Sequence, residues 1–215
     1  MTRKIFFSFH YERDAWRAGQ VRNSDLLPNE DEHGFIDAAA WEEIKRNGIA
    51  AIQNWIKEQL EGTSVTVVLI GAETSQRPWV DYEIRTSWER GNAIVGLYIH
   101  GVKDQNSKTD TKGANPLDNI HLADGQPLSS VCKTYDWVLN DGRNNLGSWA
   151  DLAAKERSEY KGETKLKADA TVKGLVPPPT HPTTPGLINP TIPRIAPNTG
   201  FVPRSPHSNY ADRER

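Results

Sequence analysis

An α/β fold built on a parallel sheet is what this sequence predicts, and three observations carry the prediction. Five apolar runs of strand length recur along the 215 residues, at 4–9, 34–37, 64–70, 93–99 and 134–139. The longer runs are nearly unbroken rather than alternating, as expected of strands buried on both faces. Segments of helical period lie between them, so the order reads βαβαβαβ(α)βα, that of a doubly wound sheet. The expectation is a five-stranded parallel sheet with helices on both faces over residues 1–161, followed by a Pro-rich tail over 162–215.

Each element has its own signal. In the segment 49–60, Ile49, Ile52, Ile56 and Leu60 fall on one stripe, with Asn47 placed as a cap before it and Gly62 as a stop after it. Val80, Ile84 and Trp88 form the next stripe, which Gly91 ends. Ser148 with Asp151 reads as a capping start for a last helix that carries Trp149, Leu152 and Ala153. The connection 101–131 is polar and long, a length usually reserved for functional or mobile loops, and Asn115-Pro116-Leu117-Asp118-Asn119-Ile120 offers one helical turn within it. Beyond 161 the prolines crowd, from Pro177-Pro178-Pro179 to Pro206, with too few large apolar residues for a core, so this tail is expected to be disordered or polyproline-II-like.

Composition narrows the function classes. A formal charge of −2 gives no general attraction to nucleic acid or to an anionic membrane. The single Cys132 excludes an internal disulfide and suits a reducing, cytoplasmic setting, where it reads as a buried small side chain. The six histidines are scattered and no metal site is expected. The apolar run Ile5-Phe6-Phe7 is too short for export or membrane spanning.

Several chemistries of doubly wound sheets fail on their motifs. Neither a Gly-x-Gly-x-x-Gly nor a P-loop is present, and the turn after the first strand, Ser8-Phe9-His10-Tyr11, lacks the glycines that would cradle a flavin phosphate. The strand over 64–70 ends Leu69-Ile70-Gly71 without the aspartate of a phospho-receiver. What remains is Arg77-Pro78-Trp79-Val80-Asp81-Tyr82-Glu83, which sets an aromatic ring and a carboxylate one helical turn apart at a strand's C-terminal edge, where such sheets bind ligands. Phe7 and Phe9 flank Ser8 on the first strand, so Ser8 and at least one ring are expected at the same cleft mouth, with Phe9 nearer the strand end and His10 in reach of a ligand. Asp37 reads first as a cap for the helix through Trp41 and second as a site residue. Aromatic rings and one carboxylate suit a substrate with flat bases and ribose hydroxyls. Breaking a nicotinamide riboside bond builds positive charge on the sugar, which a carboxylate stabilises, and the leaving group needs no acid.

Four colinear blocks carry a family resemblance: Ile5-Phe6-Phe7-Ser8-Phe9-His10-Tyr11, Phe35-Ile36-Asp37-Ala38 with Trp41-Glu42, the segment 63–71, and Trp79-Val80-Asp81-Tyr82-Glu83-Ile84. Together they resemble the TIR-like domain of bacterial ThsB proteins from Thoeris antiphage systems, over about residues 1–160. The resemblance implies a flavodoxin-like TIR domain and the catalytic role of the Trp-x-x-x-Glu glutamate, here Glu83. It implies NAD+ as substrate rather than cofactor, nicotinamide as leaving group, and a cyclic ADP-ribose isomer as the second messenger that activates a separate effector protein. Phe7, Ser8, Phe9, His10, Asp37 and Trp79 are the expected substrate contacts, self-assembly of TIR domains the expected association, and a phage component the expected trigger. An NAD+ hydrolase that depletes the cell directly, and a silent TIR sensor or scaffold, stand as the alternatives.

Overall fold

A computed structural model describes residues 3–24, 44 and 46–168. The described elements run β1 (Ile5–Ser8), α1 (Tyr11–Arg22), α2 (Ile49–Leu60), β2 (Val65–Ile70), α3 (Pro78–Glu89), β3 (Ala93–Tyr98), β4 (Thr134–Asp136) and α4 (Gly142–Glu159). The four strands form one parallel sheet in the order β1-β2-β3-β4, with Ile5 opposite Val65, Val65 opposite Ala93 and Gly96 opposite Thr134. The expected strand over 34–37 and the helix through Trp41 fall outside the described residues, so the sheet described has four strands rather than five.

Alternation along the strands sorts the core into two layers. Ile5, Phe7, Val65, Val67, Leu69, Val95 and Leu97 point to one face, which Ala18 and Val21 of α1 and Leu146 and Ala150 of α4 cover. Val68, Ile70 and Ile94 point to the other, against Val80, Ile84 and Trp88 of α3. Phe6 joins that second face at the β1 end, where Ile52, Ile56 and Leu60 of α2 and Tyr82 of α3 enclose it. Every residue of β1 and β2 is buried, which is why these runs lack a polar alternation.

Helix α2 has the predicted bounds and ends into Gly62 at φ +71°; α3 ends into Gly91 at φ +91°. Both glycines take the left-handed conformation that closes a helix without a Cβ clash. At the start of α2 the N-cap position belongs to Gly48, not Asn47, and no side chain caps it. Helix α4 begins two turns before Ser148. Asp141 takes the N-cap position, and Asn145 Nδ2 donates to the carbonyls of Asn140 and Asp141, a local use of asparagine that helix propensity does not reveal. Strand β4 stops at Asp136 instead of reaching 139, because Asp136 Oδ1 accepts from the backbone N–H groups of Val138 and Leu139 and turns the chain.

The connection 101–131 is a structural part of the core. Its expected turn is a 3-10 turn at Pro116–Asp118, with Asn115 Oδ1 accepting from Leu117 N at 3.1 Å. Leu117, Ile120, Leu122 and Leu128 from this connection are fully buried against the α3 face of the sheet. Leu117→Ala should therefore lower the free energy of unfolding by about 2–5 kcal/mol, as for a buried leucine in any core; a urea titration that moved by less than about 0.5 kcal/mol would place the connection outside the cooperative unit. Past α4 the chain stays with the fold. Ala123 N donates to Lys165 O and Lys167 N to His121 O, while Trp88 Nε1 donates to Thr164 O at 2.7 Å. Residues 169–215, most of the expected tail, lie outside the described residues. Among the described residues no helix is long and apolar enough to cross a membrane.

Candidate active site

The C-terminal ends of β1 and β2 and the first two turns of α3 meet at one edge of the sheet. Pro78 at the first helical position presets φ for α3 and gives up only an N–H that would have no intrahelical partner. One turn further, Glu83 faces the end of β1, and Ser8 Oγ–H donates to Glu83 Oε2 at 2.5 Å. Ser8 has no exposed surface, and Glu83 is half-buried. Burial of the carboxyl group, only partly offset by the Ser8 hydrogen bond, raises it from an ordinary 4.5 to about 8. Cys132, by contrast, is a buried thiol near the far end of the strands, pushed up to about 12 by burial and so inert as a nucleophile at neutral pH.

The aromatic residues take different places from those expected. Phe7 is buried on the opposite face of β1 from Ser8, packed in the layer covered by α1 and α4, and Phe9 packs against the same layer with its ring 6.1 Å from that of Tyr11. The ring that shares a face with Ser8 is Phe6, as the two-residue period of a strand requires. Trp79 is half-buried and packs edge-on to Tyr82, with centroids 5.9 Å apart, against the cluster formed by Phe6 and α2. Among the described residues its buried indole N–H has no hydrogen-bond partner.

His10 follows the strand end and is buried; its carbonyl starts α1 by accepting from Asp14 N at 2.8 Å. Among the described residues neither ring nitrogen has a hydrogen-bond partner. Burial, and then the positive charge of Arg77, lower the imidazole below its usual basicity, so His10 is neutral at physiological pH. Asp37 lies outside the described residues.

A set of ion pairs around this edge carries no motif in the sequence. Glu73, in the turn between β2 and α3, receives Arg13 and Arg77, each at 2.7 Å, and Arg13 also grips Asp110 through two N–H donors at 3.0 and 3.1 Å. Beneath them Asp14 is fully buried against Gly71, where a Cβ would stand 2.2 Å from its Oδ2. A Cβ on Gly113 would meet the Gly71 carbonyl oxygen at 2.1 Å, so two glycines let the connection 101–131 close over the end of β2. Arg13 and Arg17 lie one turn apart on α1, but their pairing with Asp104 and Asp110, about 90 residues on, is a tertiary contact that sequence spacing does not signal.

Comparison with known proteins decides the family. The chain is 34% identical over 192 aligned positions to the protein named "Putative cyclic ADP-D-ribose synthase ThsB1" from Bacillus cereus (strain MSX-D12), a match that spans 70% of this chain and 100% of that relative. This chain belongs to the ThsB family. The family described as "Thoeris protein ThsB, TIR-like domain" matches residues 6–104. In this ThsB-family chain the matched span runs from β1 through β3 and contains Ser8, His10, Trp79 and Glu83. Strand β4 and α4, which complete the sheet and cover its α1 face, follow the matched span.

Proposed function

We propose that this protein is a TIR enzyme that cleaves NAD+ with release of nicotinamide and closes the remainder into a cyclic ADP-ribose isomer, a second messenger for a separate antiphage effector. The observation that supports it most is the Glu83 carboxyl, desolvated and held by Ser8 at the end of β1. As the bond between the ribosyl anomeric carbon and the nicotinamide nitrogen breaks, its electron pair neutralises the pyridinium and the positive charge passes to the sugar. Ionised Glu83 stabilises that charge in a site from which water is largely excluded. A nucleophile of the adenosine half then bonds to the anomeric carbon and a proton is lost to solvent; if water arrives first the product is linear ADP-ribose. Holding the two ends together is what favours closure.

In this reading His10, neutral and with both ring nitrogens unpaired among the described residues, hydrogen-bonds the substrate, and Trp79 supplies an aromatic wall. Asp37 serves as a ribose contact from the segment 34–37. NAD+ enters as substrate and no other cofactor is invoked. The enzyme acts in the cytoplasm, assembles through its TIR domains and responds to a phage-derived trigger.

The test is mass spectrometry of nucleotides from infected and uninfected cells carrying the wild type or Glu83→Gln. Nicotinamide and a species one water lighter than ADP-ribose are expected with the wild type after infection and absent with the variant. Linear ADP-ribose in large excess would make the protein a depleting hydrolase. Unchanged NAD+ with both versions protecting would make it a sensor or scaffold.

A further inference from the structure

Ser8 ends β1 at a register where a polar side chain is costly. Phe6 precedes it on the same face and Phe7 on the other, both core residues, and Ser8 is itself without exposed surface. A hydroxyl there must find a partner inside the protein. It donates to Glu83 Oε2 at 2.5 Å, and among the described residues it is the only hydrogen-bond partner of that carboxyl.

The other acids around this edge are held by arginines. Asp110 takes the fork of Arg13, Glu73 takes Arg13 and Arg77, and Asp14 takes Arg17. On α3 itself Asp81 binds Arg85 at 2.7 Å. Glu83 is anchored by a neutral hydroxyl, and the difference has chemical consequences. A guanidinium fork would occupy both carboxylate oxygens and cancel the charge that a ribosyl cation needs. A single O–H donor fixes the rotamer through one oxygen, leaves Oε1 free, and leaves the charge of the ionised form intact.

We propose that Ser8 is the positioning residue of the reaction: buried behind Glu83, it locks the carboxylate through Oε2 so that Oε1 faces the anomeric carbon with its full charge. This rests on the proposed NAD+ cleavage, goes beyond a substrate contact for Ser8, and concerns the conformation of Glu83 before any substrate enters.

Two variants test it, Ser8→Ala and Ser8→Thr, the second retaining the hydroxyl on a β-branched side chain suited to a strand. Ser8→Ala should lower kcat by about 10²-fold, the usual scale for a reacting group released from its geometry, with KM within about threefold. The midpoint of the pH dependence of kcat/KM should move to higher pH, since a donor to the ionised form has gone. Ser8→Thr should recover most of the rate. A rise in KM at constant kcat would overturn the proposal in favour of direct substrate contact, and a lowered melting temperature with kinetics unchanged would reduce Ser8 to a packing residue. A second readout does not depend on turnover: 13C NMR of the glutamate carboxyl carbons, with the Glu83 signal identified by its loss in Glu83→Gln. The Glu83 titration midpoint should rise in Ser8→Ala and return in Ser8→Thr; an unmoved midpoint overturns the proposal. If the wild type leaves NAD+ intact, the proposed reaction fails while this titration still decides whether Ser8 governs Glu83.

Discussion

Glu83→Gln should abolish NAD+ cleavage and, above pH 8, give a more stable protein than the wild type. The amide is isosteric and its oxygen can accept from Ser8 Oγ, so the β1–α3 contact survives. In the proposed reaction, what disappears is the negative charge that would stabilise the ribosyl cation, an electrostatic contribution whose loss costs about 10²–10³-fold or more in rate. The stability effect has the opposite direction. Burial lifts the Glu83 carboxyl from 4.5 to about 8, so between those pH values the native state holds a proton that the unfolded chain has released. The stabilising contribution is complete below pH 4.5 and is lost as pH rises through 8. Above that, the wild type keeps an ionised carboxylate in a desolvated site, at a cost on the order of a few kcal/mol. Glutamine carries no such penalty. Thermal unfolding at pH 5 and pH 8.5 should therefore show the variant's advantage growing with pH; equal differences at both values would mean that Glu83 is solvated in the free protein. In the proposed reaction the free enzyme must lose that proton to act, so kcat/KM of the wild type should rise with pH, stand at half its maximum near pH 8 and level off above about pH 9.

Arg17→Met should be the most destabilising single change among the charged residues of this edge, by about 3–5 kcal/mol at neutral pH. Arg17 is buried on α1. Its Nε donates to Val102 O at 2.9 Å and its Nη2 to Lys108 O at 3.2 Å, while Asp14, Asp104 and Asp110 lie 3.4 to 3.7 Å from its terminal nitrogens. It ties the connection after β3 to the first helix and offsets the fully buried Asp14. Even with Arg17 present, burial raises Asp14 from 3.8 to about 6. Removing the guanidinium raises it further, so the native variant favours protonated Asp14 and loses stability as pH climbs past its new midpoint. Urea unfolding should show a larger deficit at pH 8 than at pH 5, and adding Asp14→Asn should restore much of the pH 8 loss. A deficit independent of pH would assign the whole cost to the lost carbonyl contacts.

The sheet was legible because burial on both faces leaves an unbroken apolar run, and 64–70 and 93–99 have no other reading. Helix α2 was legible because its stripe of Ile52, Ile56 and Leu60 meets glycine at its end. Features built from side chain to backbone bonds were hidden. The turn that Asp136 makes at the end of β4 and the asparagine contacts that begin α4 depend on one rotamer each, and the residue types alone do not select it. The connection 101–131 misled through its polar surface. Its four buried leucine and isoleucine side chains are spaced by turns rather than by any helical or strand period, so no pattern announces them as core.

At the candidate site, Trp79-x-x-x-Glu83 pointed to α3 and to the C-terminal edge of the sheet by local spacing and family resemblance together. Strand alternation, applied strictly, already pairs Ser8 with Phe6 and sends Phe7 and Phe9 to the far side. Sequence by itself determined the fold class, the α/β order of the described elements and a carboxylate one turn behind Trp79 in the helix that follows the strand 64–70, because these follow from periodicity and short-range spacing. Only the tertiary structure decided that Ser8, 75 residues away, holds that carboxylate, that Asp14 rests against Gly71, and that Arg13 and Arg77 share Glu73. Such contacts depend on crossover connections that bring distant segments to one sheet edge, and on desolvation there, which no window of sequence records.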